Sequence, residues 1–330
     1  MNINFFLNKT IFITGGTGSF GKAFINFFIK KKIKFKKIII FSRDELKQHE
    51  MKNLLDENNK KKIRFFIGDI REKDRLKIAI QDVDFLIHAA ALKQVPTAEY
   101  NPFEFIKTNI LGTQNVVEAC LDSNVQKVIL LSTDKASSPI NLYGATKLCA
   151  DKLFVSANNI KGSKKIFFSV VRYGNVMGSR GSVLHEFIKQ KQSKKILLTH
   201  ENMTRFNISL DRAVETVLWA FKNCKGGEIV VPKIPSFYVK NLAKAVCEKS
   251  EIIITGIRAG EKLHEEMISM DDSTSTVSLK KYYLILPKTY ALNKRINFIK
   301  KKFSYNSLNN EYFLTINELK KIVQKELKAT

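Results

Sequence analysis

The chain has 330 residues, 44% of them hydrophobic, enough for one large α/β unit or two joined lobes, and carries a formal net charge of +25. No window approaches the roughly 18 uncharged apolar residues of a membrane helix, and residues 1–14 lack a basic segment leading into an apolar run and cleavage site. The chain is therefore expected to be unexported, cytoplasmic and without a membrane partner.

Lysines and arginines are scattered in short runs, such as 30–32 and 60–62, with no RNP-type aromatic motif or zinc-finger spacing, which argues against nucleic acid as a partner. The four cysteines, Cys120, Cys149, Cys224 and Cys247, show no CxxC spacing, and no metal is expected.

Short apolar, β-rich runs predict strands over 10–14, 37–41, 63–67, 83–88, 127–131 and 166–172. Amphipathic stretches between them predict crossover helices, for example over 20–31, 72–81, 102–123 and 142–158. Such alternation predicts an α/β fold, a doubly wound parallel Rossmann-type sheet buried on both faces. After residue 172 the alternation fades into a Gly- and Ser-rich turn, a Lys-rich helix and β pieces at 227–233 and 252–257. Residues 1–172 thus read as a dinucleotide-binding domain with the catalytic residues. Residues 173–330 read as mainly a smaller substrate-binding lobe, from which a strand or helix can return to the first domain. The polar segment 269–278 predicts a loop.

Thr14-Gly15-Gly16-Thr17-Gly18-Ser19-Phe20-Gly21 joins the first strand to the first helix, with Gly15, Gly18 and Gly21 at GxxGxxG spacing. In that context the glycines let backbone N–H groups approach a pyrophosphate, and the helix N-terminus favours the anion. An NAD enzyme usually ends its second strand with a carboxylate for the ribose diol. This chain has Ser42-Arg43-Asp44-Glu45-Leu46-Lys47 there, and Arg43 and Lys47, four apart, can converge on a 2′-phosphate. The sequence therefore favours NADP. Asp69 and Ile70 after the third strand, Ala89 after the fourth, and Leu131 and Ser132 at the fifth complete the expected cofactor contacts. His88 reads as a packing or hydrogen-bonding residue.

Beyond the fifth strand come Thr133-Asp134-Lys135 and then Tyr143-Gly144-Ala145-Thr146-Lys147. Positions i and i+4 share a helix face, which sets the Lys147 ammonium near the Tyr143 phenol and the nicotinamide ribose. That cation and an oxidised nicotinamide are expected to draw the phenol from its usual value near 10 towards neutrality, making Tyr143 a base.

The stretches TGGTGSFG, FSRDELKQ, HAAALKQVPTAEYNP, LSTDKASSPINLYGATK, VVRYGNVMGSRGS, MTRF and GEKLHE run from residue 14 to about 266. Together they resemble the extended short-chain dehydrogenase/reductase family and, within it, the inverting UDP-N-acetylglucosamine 4,6-dehydratases. The tail resembles that family more weakly. The resemblance implies oxidation at carbon 4 with Tyr143 as base and Thr133 orienting the hydroxyl. Lys135, once neutral in the closed site, then removes the carbon 5 hydrogen, Asp134 protonates the departing 6-hydroxyl, and hydride returns to carbon 6 with inversion at carbon 5. It further implies that Lys93, Asn175, Val176, Thr199, Met203, Arg205, Arg258 and Glu261 line the site for UDP-N-acetylglucosamine. Arg205 and Arg258 suit the diphosphate. A homo-oligomer is implied, as is the first step towards pseudaminic acid for flagellar glycosylation.

Asn207 stands where that family usually has Trp, Ala259 where it has Pro, and His185 interrupts an apolar stretch. Two other functions compete. A sugar-nucleotide 4-epimerase needs Tyr143 and Lys147 but has no use for Asp134 and Lys135. A non-catalytic NADP-binding regulatory or RNA-binding protein needs none of the four.

Overall fold

The computed structural model describes residues 3–179, 181–287, 297–299 and 302–329. Six strands, β1 (Thr10–Thr14), β2 (Lys37–Ser42), β3 (Ile63–Ile67), β4 (Phe85–His88), β5 (Lys127–Thr133) and β6 (Phe167–Tyr173), run parallel in the order β3-β2-β1-β4-β5-β6. Each falls where an apolar run predicts it, and every residue of β1 and β4 is buried, because helices cover both faces. The first helix, α1 (Ser19–Lys30), packs Phe20, Phe24, Phe27 and Phe28 into this core. Strand order reverses between β1 and β4, which opens a crevice at their carboxyl ends.

A strand of the second half joins the main sheet: the β piece near 227–233, Ile229–Pro232, pairs parallel with β6. Two elements differ from expectation. The segment 269–278 is not a loop. It forms a short helix, Met270–Ser273, capped by the Ser269 hydroxyl, and the strand Thr276–Ser278, which with Tyr282–Ile285 extends the sheet antiparallel to nine strands. A three-residue edge strand needs few apolar side chains, so its polar composition hid it.

The single helix expected over 102–123 is interrupted by a π turn, Ile106–Leu111, between Pro102–Phe105 and Gly112–Leu121. The extra residue of such a turn re-aims side chains, and here Asn109 turns inward. Its amide takes the Leu92 N–H at 2.9 Å and donates to Leu92 O at 2.9 Å and to Thr146 Oγ1 at 3.0 Å.

A second core of Leu184, Phe187, Ile196, Phe237, Leu242 and Leu319 lies among Val183–Gln190, Lys195–Leu198, Val239–Val246 and Ile316–Ala329. Between the sheet and the helix Leu142–Ile160 lies an almost wholly buried ion pair, Arg172 Nη2 to Asp151 Oδ2 at 3.0 Å. Arg172 Nη1 also donates to Met267 O at 2.9 Å and approaches Asp272 at 3.4 Å. Among the described residues no helix is long and apolar enough to cross a membrane.

Candidate active site

The turn after β1 is shaped by its glycines. Gly15 has φ +62°, and a Cβ there would stand 2.8 Å from Ala90 Cα, while one on Gly21 would stand 2.0 Å from Gly16 O. Only bare backbone lets the turn lie this close to the end of β4. Gly18 begins α1 with no side-chain cap, so the first-turn N–H groups are left for a ligand. The cleft in front is lined by Gly15, Thr17, Ser42, Arg43, Asp44, Lys47, Asp69 and Ile70, as expected, and by Ala90 and Ala91 beside the expected Ala89. An uncapped helix end and a cradle that any Cβ would fill fit a dinucleotide.

Two other expected cofactor residues have side chains outside the lining of this cleft. Phe20 packs against Phe24 in the core, and Leu46 is 64% exposed on the outer side of the helix Glu45–Asn53. Asp44 caps that helix by accepting the Lys47 N–H at 2.9 Å and also pairs with the Lys47 ammonium, so Lys47 is already engaged. Arg43 is half exposed and lies 3.5 Å from Asp69. Asp69 is gripped by Arg71 at 2.7 Å; burial pushes its carboxyl up, but the Arg71 hydrogen bonds hold it below the usual range. His88 is fully buried, its ring nitrogens 2.7 Å from Thr14 Oγ1 and 3.1 Å from Thr113 Oγ1. Burial, with Lys147 adding to it, lowers its pKa to about 3, so it stays neutral.

At the end of β5, Thr133 Oγ1 donates to Asp134 Oδ1 at 2.9 Å and also contacts the Tyr143 hydroxyl. The turn Asp134–Ala136 then packs against the helix Leu142–Ile160, whose N-cap Asn141 accepts the Gly144 N–H at 2.7 Å. A Cβ on Gly144 would stand 2.3 Å from Lys135 O, which is how closely turn and helix meet. Thr133, Asp134, Lys135 and Tyr143 are thereby brought together.

The charges at the centre are shared among more groups than the local spacing suggests. Lys147 donates from Nζ to Leu131 O at 2.9 Å, and burial lowers its pKa to about 8, which leaves it largely an ammonium at neutral pH. Burial pushes the Tyr143 phenol up to about 12, and the cation that offsets this is Lys135. Without substrate, Lys135 is held as an ammonium. Burial disfavours its charge, but Asp134 Oδ1 at 3.1 Å and Glu265 Oε1 at 2.9 Å outweigh that and hold it above the usual lysine range. Burial, eased by Lys135, raises the Asp134 carboxyl.

On the far side, Arg205 on the strand Thr204–Ile208 reaches Glu261 at 3.3 Å and Glu265 at 3.7 Å. Asn175 and Val176 form a short strand paired with Asn207 and Ile208. Thr199 and Met203 satisfy one another inside the smaller core, hydroxyl to sulfur at 3.3 Å. Arg258 is exposed, its N–H 3.5 Å from Glu261, and Lys93 is exposed on the loop after β4.

The family model described as "Polysaccharide biosynthesis protein" matches residues 11–287. A Campylobacter jejuni protein named UDP-N-acetylglucosamine 4,6-dehydratase (inverting) is 52% identical over 96% of this chain and 98% of its own. The chain belongs to this polysaccharide biosynthesis family, a branch of the extended short-chain dehydrogenases/reductases. A Rickettsia prowazekii relative named UDP-glucose 4-epimerase is 43% identical over 98% of this chain and 99% of its own. The X-ray structure of Pen from Bacillus thuringiensis superposes with a TM-score of 0.88 at 37% identity, over 98% of this chain and 99% of that one. A Streptomyces venezuelae dTDP-glucose 4,6-dehydratase, at 18% identity and TM-score 0.67 over 77% of this chain and 86% of that one, shares the fold.

Within the family match lie residues that local sequence patterns do not reveal. Asn109, which stands in the π turn, ties the loop after β4 to Thr146 on the helix that carries Tyr143, one residue before Lys147. Glu265 stands in GEKLHE, and the only signal for it was membership of that motif. Asn207, one of the departures, is buried with its amide oxygen unpaired, as is the amide oxygen of its partner Asn175.

Proposed function

We propose that this protein is an NADP-dependent UDP-N-acetylglucosamine 4,6-dehydratase that inverts carbon 5. The observation that carries the reading is the buried Asp134–Lys135 pair beside Tyr143. Oxidation at carbon 4 needs one proton acceptor, while elimination of water needs an additional acid and base, and a 4-epimerase leaves the second set idle. The name of the Campylobacter relative agrees with this, and that of the Rickettsia relative makes the epimerase the reading to test against. Residues 1–172 then serve cofactor binding and acid/base chemistry, and residues 173–330 mainly the sugar nucleotide. Cytoplasmic location and homo-oligomeric assembly go with the same reading.

The dinucleotide supplies the hydride acceptor for carbon 4 and the donor for carbon 6. Tyr143 takes the proton of the 4-hydroxyl, held by Thr133, and the Lys135 cation favours the phenolate that does so. The resulting ketone acidifies the hydrogen on carbon 5. Lys135 passes its resting proton to Asp134 Oδ1, 3.1 Å away, and as the neutral amine takes the carbon 5 proton. Asp134, whose burial favours the protonated acid, gives a proton to the departing 6-hydroxyl. Arg205 and Arg258 suit the diphosphate.

In heavy water with UDP-N-acetylglucosamine, the pure protein is expected to give a product that has lost water and carries deuterium at carbon 5, read by NMR and mass spectrometry. A 4-epimer of unchanged mass overturns the reading. The NADP preference rests on Arg43. Arg43→Ala should weaken NADP binding about tenfold or more, the worth of one charge-assisted contact, and leave NAD binding nearly unchanged. Equal losses for both cofactors in a calorimetric titration contradict it.

A further inference from the structure

Glu265 has no part in the roles above, yet it is among the most buried charged groups of the site, about 1% exposed. One carboxylate oxygen takes the Lys135 ammonium at 2.9 Å and lies 3.7 Å from Arg205 Nε, and the other has no hydrogen-bond partner. Asp134 shares the same ammonium at 3.1 Å, and its second oxygen is likewise unpaired. The Glu265 backbone is fixed by Ser307: its N–H donates to the Ser307 hydroxyl at 2.9 Å, and its carbonyl accepts the Ser307 N–H at 2.7 Å. The neighbouring Glu266 accepts from the Ser138 hydroxyl at 2.8 Å and the Ser304 hydroxyl at 2.6 Å. Glu265 thus reaches Lys135 from a fixed backbone.

We propose that Glu265 is a positioning residue for the elimination step, anchoring Lys135 and remaining the ionised carboxylate of the pair so that Asp134 carries the transferable proton. This rests on the dehydratase reading. The geometry behind it is a difference in partners: two cations, Lys135 and Arg205, stand within 4.0 Å of Glu265, and one, Lys135, stands within that distance of Asp134. A proton entering the cluster therefore goes to Asp134. The directions agree: burial raises both carboxyls, but Lys135 and Arg205 bring Glu265 below its usual value, while Asp134 stays above. The other charged or titratable groups facing the pair are Tyr143 from the helix, Glu261 on Arg205, and Lys262.

Glu265→Gln keeps the shape and removes the charge. It is expected to bind the UDP-sugar and form NADPH in a single turnover, while carbon 5 exchange falls on the order of 10- to 100-fold. Loss of the negative charge lowers the pKa of both Asp134 and Lys135, so the bell-shaped pH profile of exchange moves to lower pH. Exchange at the wild-type rate with an unmoved profile overturns the proposal. Should that variant not fold, ¹⁵N-lysine NMR of substrate-free Asp134→Asn decides. Lys135 is expected to remain an ammonium, held by Glu265 alone, and a neutral amine near pH 8 overturns the proposal. If the wild-type protein makes no keto sugar, the dehydratase reading fails, while the lysine signal still reports whether Glu265 holds the ammonium.

Discussion

Tyr143→Phe should form neither reduced cofactor nor carbon 5 exchange above background, whereas Lys135→Ala should still reduce the cofactor once and then stall. The first variant keeps the ring in its buried place and loses the oxygen that accepts the 4-hydroxyl proton, so oxidation cannot begin. The second removes the base of the later step and leaves Thr133 and the phenol in contact. Loss of a positioned proton-transfer group costs roughly 10²–10⁴ in rate, well clear of a folding effect if melting temperatures are compared. Lys135→Ala also takes away the cation that offsets the burial of Tyr143. Its single turnover should therefore need higher pH than wild type, because the phenol then ionises less readily. Stopped-flow absorbance reads the reduced cofactor and NMR in heavy water the exchange. Rapid exchange by Lys135→Ala removes that lysine from the base role.

The largest loss of stability is expected at Arg172. Replacing it with leucine strands the Asp151 carboxylate, fully buried, without the cation 3.0 Å away and also frees the Met267 carbonyl. Breaking a buried pair from one side costs about 3–5 kcal/mol, because an uncompensated charge remains in a medium that solvates it poorly. Urea unfolding of Arg172→Leu should show this, and Arg172→Leu with Asp151→Leu should recover a large part of it. A single-variant loss below about 1 kcal/mol, the size of a surface pair, means that the pair is solvated in practice.

What could be read from the sequence is what is encoded locally. The glycine turn, the Tyr143 and Lys147 spacing, and the apolar runs of β1 to β6 each occupy a few consecutive residues, and period and turn chemistry suffice to place them. The charge pattern at the centre depends on contacts that are not local. The i and i+4 rule correctly put Lys147 on the Tyr143 face, but the lysine spends its proton on Leu131 O, and Lys135 stands by the phenol. Glu265, which fixes Lys135 as a cation, arrives from far along the chain and carries no periodic signature. Asp151 and Arg172 look like ordinary charges in a helix and a strand until the fold buries them against each other. The edge strand Thr276–Ser278 escaped because its identity comes from a neighbour's backbone.

The strand Tyr305–Asn306, laid antiparallel on Glu266–Ile268, has a bearing on how the site comes into being. The contacts that clasp the acid/base cluster close long loops: 129 residues separate Ser137 from Glu266 and 103 separate Thr204 from Ser307. Closing such loops costs entropy that local turns do not pay, so these clasps are expected to form late in folding and to open before the core strands do. The glycine cradle is held within the main sheet, by Phe41 O on the Gly15 N–H at 2.8 Å and by the Ala89 and Ala90 N–H groups on Thr14 Oγ1 at 3.1 and 3.2 Å, and it is expected to persist when the clasp loosens. Dinucleotide retention and turnover are therefore expected to have separate thermal limits within one chain, turnover the lower, and heating curves of binding and activity that coincide contradict this.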